Sequence, residues 1–365
     1  MALVVWVATS GNGPAPHHHT LAAHDGAHNA ASQTGGSADS TGTGPAGSTG
    51  SAAPRVKAVV EHWQLPNPVS REGAVALGGG RVLVVGGLTA SGSSSTDVAV
   101  LDTATGGVST AGKLTVATHD AAVSAIGGRA LVFGGGQTTA TATVQSFPVP
   151  SGGSGAASSS VTGHLPQARA DSASVTVGTT TYVVGGYDGA AGDAQVLATS
   201  SGSTFTQVAT LPVAVRYPAV AALGGLVYLF GGEVVTGGTT LQVWTPNTRP
   251  PPGQEVPVVQ VVDPATHKAW VAGRMPHSLA GAAAFVLRGH LFLAGGDANA
   301  PGTKPVTDST VWSFDPRTTA FRVAGRLAEG VAYAGVAVSG SGVWLVGGEH
   351  DGAQVRTVER VTLRR

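Results

Sequence analysis

The stretch "VYLFGGEVV" (residues 227–235) runs apolar and aromatic into a double glycine and then meets a carboxylate. A glycine pair at a strand end can cradle a phosphate or bend a sheet. The first role needs a helix N-terminus directly beyond the glycines, whose amides and dipole hold the anion. No helical periodicity follows this pair, so the stretch reads as a strand end.

The same pattern recurs along the chain. Its relatives are "RVLVVGGLT" (81–89), "RALVFGGGQ" (129–137), "TYVVGGYDG" (181–189), "LFLAGGDAN" (291–299) and "VWLVGGEHD" (343–351). The glycine pairs are Gly86–Gly87, Gly134–Gly135, Gly185–Gly186, Gly231–Gly232, Gly295–Gly296 and Gly347–Gly348, at intervals of 48, 51, 46, 64 and 52 residues. Two further features keep step. A run of small residues ends upstream of each pair ("GAVAL", "AAVSAI", "SASVTV", "AVAAL", "GAAAFVL", "AGVAV"), and strand pairs around an Asp-initiated turn follow at 98–114, 259–276 and 311–328. Three features in one order across six units define a repeat, and repeats are read before motifs.

Each unit reads as four antiparallel strands: small, apolar to Gly-Gly, polar after a variable loop, and outer. One such sheet cannot bury both faces, whereas six set radially cover each other. Only Ala, Gly, Ser and Val fit where six inner strands converge. The fold class expected is therefore all-β, a six-bladed β-propeller over residues 55–365. Only one strand, in 355–365, remains after Gly348, and a spare one, 56–66, precedes the first small-residue strand. The N-terminal strand is expected to complete the last blade.

This pattern resembles the kelch repeat family, across about residues 55–365. The outer-strand aromatic is Trp270 in one copy, Phe321 in another and absent elsewhere. Kelch-like propellers that act as copper-radical oxidases need a Tyr–Cys cross-link, and this chain has no cysteine, which excludes that activity. Other six-bladed kelch-like propellers resemble sialic-acid epimerase or mutarotase proteins, which use a carboxylate and an arginine at the channel mouth. Arg71, Arg216, Glu72 and Glu233 are the positions here that could carry such work.

Composition narrows the partners. Charged residues are 11% of the chain, and 20 Lys plus Arg balance 20 Asp plus Glu, so no global field recruits nucleic acid or an anionic membrane. Absent cysteine also removes disulfides, iron–sulfur clusters and thiolate zinc sites. Residues 1–10 hold the apolar run "ALVVWVA" (2–8), at the lower limit of a signal-peptide core and too short to span a bilayer. The Ser/Gly/Thr/Ala/His-rich tract 11–54 is expected to be a disordered linker outside the membrane, which makes the protein extracytoplasmic. His17, His18, His19, His24 and His28 lie in that linker, and no metal site is assigned to them. "GVSTAGKL" (107–114) matches a phosphate loop until Leu114 stands where Ser or Thr must bind the metal. "GSTF" (202–205) has half of a sialidase-type Asp-box turn, with Ser200 in place of its Asp.

Alternation puts the loops entering the small strands and the loops leaving Gly-Gly on one face. The entering loops offer Arg71, Glu72, His119, Asp120, Arg169, Asp171, Arg216, Tyr217, His277, Glu329 and Tyr333. The leaving loops offer Tyr187, Asp188, Glu233, Asp297, Glu349, His350 and Asp351. Candidate ligand-binding residues are Arg71, Glu72, His119, Asp120, Arg169, Arg216, Tyr217, Glu233, Asp297 and Glu349. The longest interval contains "TGGTTLQVWTPNTRPPPGQEV" (236–256), in which Pro250, Pro251 and Pro252 stiffen the backbone and Trp244 offers an apolar contact, a candidate partner loop. Two functions follow. One is a non-catalytic binding or scaffold propeller, monomeric and without cofactor, holding a protein or saccharide. The other is a saccharide-processing enzyme with an Arg/carboxylate pair at the mouth.

Overall fold

The computed structural model describes residues 53–150, 157–235, 253–298, 306–340 and 342–364. The apolar run, the histidine-bearing tract through residue 52, and Trp244, Pro250, Pro251 and Pro252 lie outside the described residues. Among the described residues there is no helix, and so none long and apolar enough to cross a membrane.

Twenty-four strands form six four-stranded antiparallel blades. From the axis outward, the first blade runs Gly73–Gly78, Arg81–Val85, Ser95–Asp102 and Val108–Thr118. The fourth, which contains the opening stretch, runs Ala219–Leu223, Leu226–Phe230, Val258–Asp263 and Lys268–Arg274. In the sixth, Gly335–Ser339, Gly342–Val346 and Val358–Leu363 are joined on the outside by Val56–Val60. That strand pairs antiparallel with the C-terminal one, from Val56 opposite Leu363 to Val60 opposite Glu359. A two-residue strand, Ala157–Ser158, adds parallel to the outer edge of the first blade.

The apolar second strands explain the blade packing. Side chains alternate faces along a strand, so Val227 and Leu229 pack with Tyr182 and Val184 of the third blade. Tyr228 and Phe230 pack with Leu291, Leu293 and Phe314 of the fifth. Every junction between blades has such a cluster, including Trp344 and Val346 against Val82 and Leu101 where the sixth meets the first. Inner strands need small residues because neighbours touch. A Cβ at Gly73 would lie 2.1 Å from the Val123 side chain, and one at Gly335 would lie 2.9 Å from Ala74 Cβ. The Asp-initiated turns form as the sequence implies: Asp102 Oδ1 accepts from Ala104 and Thr105 N–H in the first blade, Asp263 Oδ1 from Ala265 N–H in the fourth, and Asp315 Oδ1 from Arg317 N–H in the fifth.

The glycine pairs join blades rather than merely bend them. The second glycine of each pair donates its N–H to a carbonyl in the stretch where the chain enters the next blade, two residues before that blade's ring position. The six bonds are Gly87 to Thr118, Gly135 to Arg169, Gly186 to Val215, Gly232 to Leu279, Gly296 to Val331 and Gly348 to Val69, at 2.8–2.9 Å. The first glycine lies against that same carbonyl; a Cβ on Gly231 would meet Leu279 O at 2.2 Å, and φ is +60° there. A side chain is excluded by both space and backbone geometry.

Two residues beyond those carbonyls, a second circuit closes around the axis. Asp120 N–H donates to Arg71 O, Asp171 to Asp120, Tyr217 to Asp171, Gly281 to Tyr217, Tyr333 to Gly281 and Arg71 to Tyr333, at 2.8–3.1 Å. All six residues are left-handed, with φ between 53° and 61°. One residue per blade thus builds a ring of six backbone hydrogen bonds at the channel mouth.

Candidate functional site

The ring residues turn their side chains over the mouth: Arg71, Asp120, Asp171, Tyr217 and Tyr333, with Gly281 in the sixth place. With Glu72 and the small inner-strand residues they line a hollow of about 200 Å³. Gly281 is required where it stands, because a Cβ there would sit 2.4 Å from the Tyr333 ring.

Arg71 spans the mouth. Its Nε donates to Glu349 Oε1 at 2.8 Å, and its Nη1 donates to the Tyr217 hydroxyl at 2.5 Å and to Asp120 Oδ2 at 3.4 Å. Its guanidinium lies over the Tyr333 ring, 4.3 Å from the centroid, and 5.1 Å from that of Tyr217. The Tyr217 hydroxyl in turn donates a hydrogen bond to Asp120 Oδ2 at 3.2 Å. The two tyrosines meet edge to face, 5.0 Å apart.

Arg216 precedes the ring by one residue. It holds Glu233 Oε2 from Nε at 2.8 Å and from Nη2 at 2.6 Å, reaches Asp171 Oδ2 at 3.6 Å, and lies over the rings of Tyr187 and Tyr217. Gly253, the returning end of the long loop, comes within 3.8 Å of this pair measured from an ideal Cβ. Both arginines therefore bridge blades through carboxylates, and the four acidic groups Asp120, Glu349, Asp171 and Glu233 hold them.

Burial raises three acidic groups at the mouth. Burial pushes the Asp171 carboxyl up to about 7, assisted by the neighbouring Asp120 and opposed by Arg216. Asp297 is raised to about 6 by burial and by Glu349 and Glu233, against the hydrogen bond from Tyr333. Glu72 lies under the ring, where burial raises its carboxyl to about 8 although Oε1 accepts from Gly335 N–H at 3.0 Å.

The remaining candidates sit elsewhere. His119 is on the rim, with Nδ1 2.8 Å from Ser94 Oγ and Nε2 3.5 Å from Asp120 Oδ2. Arg169 is corrected by the structure: it is fully buried inside its blade, ion-paired to Asp193 and donating to Gly185 O and Gln195 O, so it does not reach the mouth. Its position matches Val69, Thr118, Val215, Leu279 and Val331 in the other blades, the residues whose carbonyls receive the glycine amides. Aligning the six units would have exposed it as an interior position. His277 pairs with Asp308 at 3.0 Å, and His350 with Gly330 O at 2.7 Å, both in peripheral loops. Asp351 caps Thr307 N–H, and Asp188 caps its own turn at Ala190 and Ala191. Ser94 escaped the sequence reading because its partner is 25 residues away in another blade, inside a serine-rich turn. Among the described residues, no three His, Asp or Glu side chains are grouped to hold a metal ion.

No protein-family model matches the chain, and no curated protein sequence matches it. The fold is similar to the solved structure of YjhT, with a TM-score of 0.67 at 16% identity, covering 83% of this chain and 99% of that one. At that identity the likeness concerns architecture, and function is argued from the site. The chain is a six-bladed β-propeller with an arginine-, tyrosine- and carboxylate-lined mouth.

Proposed function

We propose that this protein is a kelch-type binding propeller whose mouth takes a compact, hydroxyl-rich ligand of the size of a monosaccharide. The observation that carries this reading is the hollow of about 200 Å³ under a fixed ring bearing two tyrosines, two aspartates and Arg71. Ligand sites of drug size run about 300–1,000 Å³, so a smaller molecule suits this one. Tyrosine faces and charged hydrogen-bonding groups are what a sugar's apolar ring face and hydroxyls require.

The arginines favour a neutral sugar over a sugar acid. Arg71 and Arg216 each already contact two carboxylates, and an incoming carboxylate must displace one of them. The Ser/Gly/Thr/Ala-rich tract and the apolar run before it support an extracytoplasmic location. A thermal-shift screen of the full chain against neutral, amino and acidic monosaccharides tests the proposal. A neutral sugar is expected to raise Tm in wild type and to lose that effect in Tyr217→Phe, which keeps the ring but removes the hydroxyl between Arg71 and Asp120. Absence of stabilisation by every sugar overturns it.

A second reading, saccharide processing, draws on Asp171. Its carboxyl at about 7 lies 3.6 Å from Arg216, which suits a proton shuttle near neutral pH. Asp171, rather than Glu72 or Glu233, is then the carboxyl to mutate. Unaltered sugar-anomer exchange in Asp171→Asn, followed by NMR, sinks this alternative.

A further inference from the structure

The rim carries a pair of side chains, Ser94 and His119, that the binding reading does not use, and the pair is backed by Asp120 of the ring. Ser94 Oγ, in the turn leaving the first blade's glycine pair, lies 2.8 Å from His119 Nδ1, and His119 Nε2 faces Asp120 Oδ2 at 3.5 Å. Asp120 is held in turn by Arg71 Nη1 at 3.4 Å and by the Tyr217 hydroxyl at 3.2 Å. Ser94 is half-buried and the His119 side chain is 19% exposed, so the pair meets solvent while its neighbours limit its rotation. His119 is further fixed by backbone bonds in both directions with Gly136, each 3.1 Å.

The carboxylate decides the tautomer. Asp120 beside Nε2 favours the proton on that nitrogen, which leaves the Nδ1 lone pair for the Ser94 hydroxyl. Hydroxyl, imidazole and carboxylate then stand in the order that activates a serine, with the base within hydrogen-bond reach of the nucleophile. The ring is turned relative to serine proteases, where the hydroxyl meets Nε2. The roles do not depend on which nitrogen serves, since either lone pair can accept the proton. The Ser94 hydroxyl has one competing acceptor, Gly136 O at 3.2 Å.

We infer that Ser94 and His119 are a nucleophile–base pair that accepts an acyl group from a small carboxylic ester presented at the rim. Ser94 Oγ bonds to the ester carbonyl carbon as its proton passes to His119 Nδ1. The bond to the alcohol oxygen breaks, and the alcohol leaves with that proton. Water then attacks the acyl carbon, gives a proton to Nδ1, and releases the acid as the proton returns to Ser94 Oγ. Asp120 is a positioning residue. This activity is independent of whether the hollow binds a sugar.

The test is covalent labelling of the full chain with a fluorophosphonate probe, read by peptide mapping. Ser91 and Ser93 are exposed serines in the same turn with no histidine partner, and they serve as internal controls. Ser94 is expected to react about a hundredfold faster than either, the scale of general-base assistance. His119→Gln is expected to bring Ser94 to the level of its neighbours, and Asp120→Asn to slow it in part. Labelling of Ser94 no faster than Ser91 and Ser93 in wild-type protein overturns the inference, whatever the variants' stability. Equal rates at Ser94 in wild type and in a folded His119→Gln do so as well.

Discussion

Glu72 follows the ring residue Arg71, where the other blades carry Ala121, Ser172, Pro218, Ala282 and Ala334. It is the only ionisable group at that level, and burial raises its carboxyl from 4.5 to about 8. The folded state therefore binds its proton more tightly than the unfolded chain does. Stability from this group is fully present below pH 4.5 and is lost as pH rises toward about 8. Glu72→Gln keeps an acceptor for Gly335 N–H and has no charge to bury. It is expected to leave Tm nearly unchanged at pH 5 and to raise it by about 4 °C or more at pH 8, on a scale of roughly 2–4 °C per kcal/mol for chains of this size. Residue by residue, legibility followed exposure. Arg71, Asp120, Arg216 and Tyr217 were recognisable as mouth residues because they flank the small strands. Which carboxylate each arginine holds depends on blade geometry, and so does the inward turn of Arg169 toward Asp193.

At the scale of the element, the glycine pair separates two kinds of glycine that look alike in sequence. Gly231 and Gly224 share nearly the same left-handed φ, +60° and +62°. A Cβ on Gly224 meets nothing within 4 Å, while one on Gly231 meets Leu279 O at 2.2 Å and Val256 O at 3.2 Å. Gly224→Ala is expected to cost about 1 kcal/mol from backbone strain alone. Gly231→Ala must also push two blades apart and is expected to cost at least about 3 kcal/mol more, with the lost hydrogen bond and opened packing included. Urea denaturation of the two variants compares them directly; equal midpoints contradict the inter-blade role. The spacing of the pairs made the blades countable, because each pair ends the same strand. The bond each pair makes to its neighbour was not legible, since the acceptor's sequence carries no common residue type: Thr118, Arg169, Val215, Leu279, Val331 and Val69 serve equally through their backbones.

The propeller closes through the first and last of its strands. Val56–Val60 supplies the outer strand of the sixth blade, and Val56 also enters the cluster that joins it to the fifth. Arg364 N–H returns to Arg55 O at 2.8 Å. Removing residues 55–64 is expected to lower Tm greatly, by well over 10 °C at roughly 2–4 °C per kcal/mol, and a melt unchanged by that deletion refutes the closure. Net pH behaviour is also a property of the whole. Glu72, Asp171, Asp297 and Glu359 are raised to about 8, 7, 6 and 7, chiefly by burial, so their stabilisation fades as pH climbs from about 5 to 8. Asp97, Asp102, Asp263, Asp315 and Asp351 are lowered by hydrogen bonds, so theirs fades as pH falls below the ordinary carboxylate range. A melting curve measured against pH is expected to peak between about 4.5 and 6 and to decline by pH 8; a maximum above pH 7 contradicts the assignments.

The circuit Arg71–Asp120–Asp171–Tyr217–Gly281–Tyr333 is tied entirely through main-chain atoms. The aperture is therefore an iris of set diameter, and the side chains hung on it are passengers. At the five places other than Gly281, whose Cβ would strike the Tyr333 ring, a residue that tolerates a left-handed backbone, Asn and Gly above all, can be seated without loosening the frame. Five such places, each filled from a different repeat, make the mouth re-addressable: what it recognises can be rewritten one position at a time while the blades behind it stay as they are.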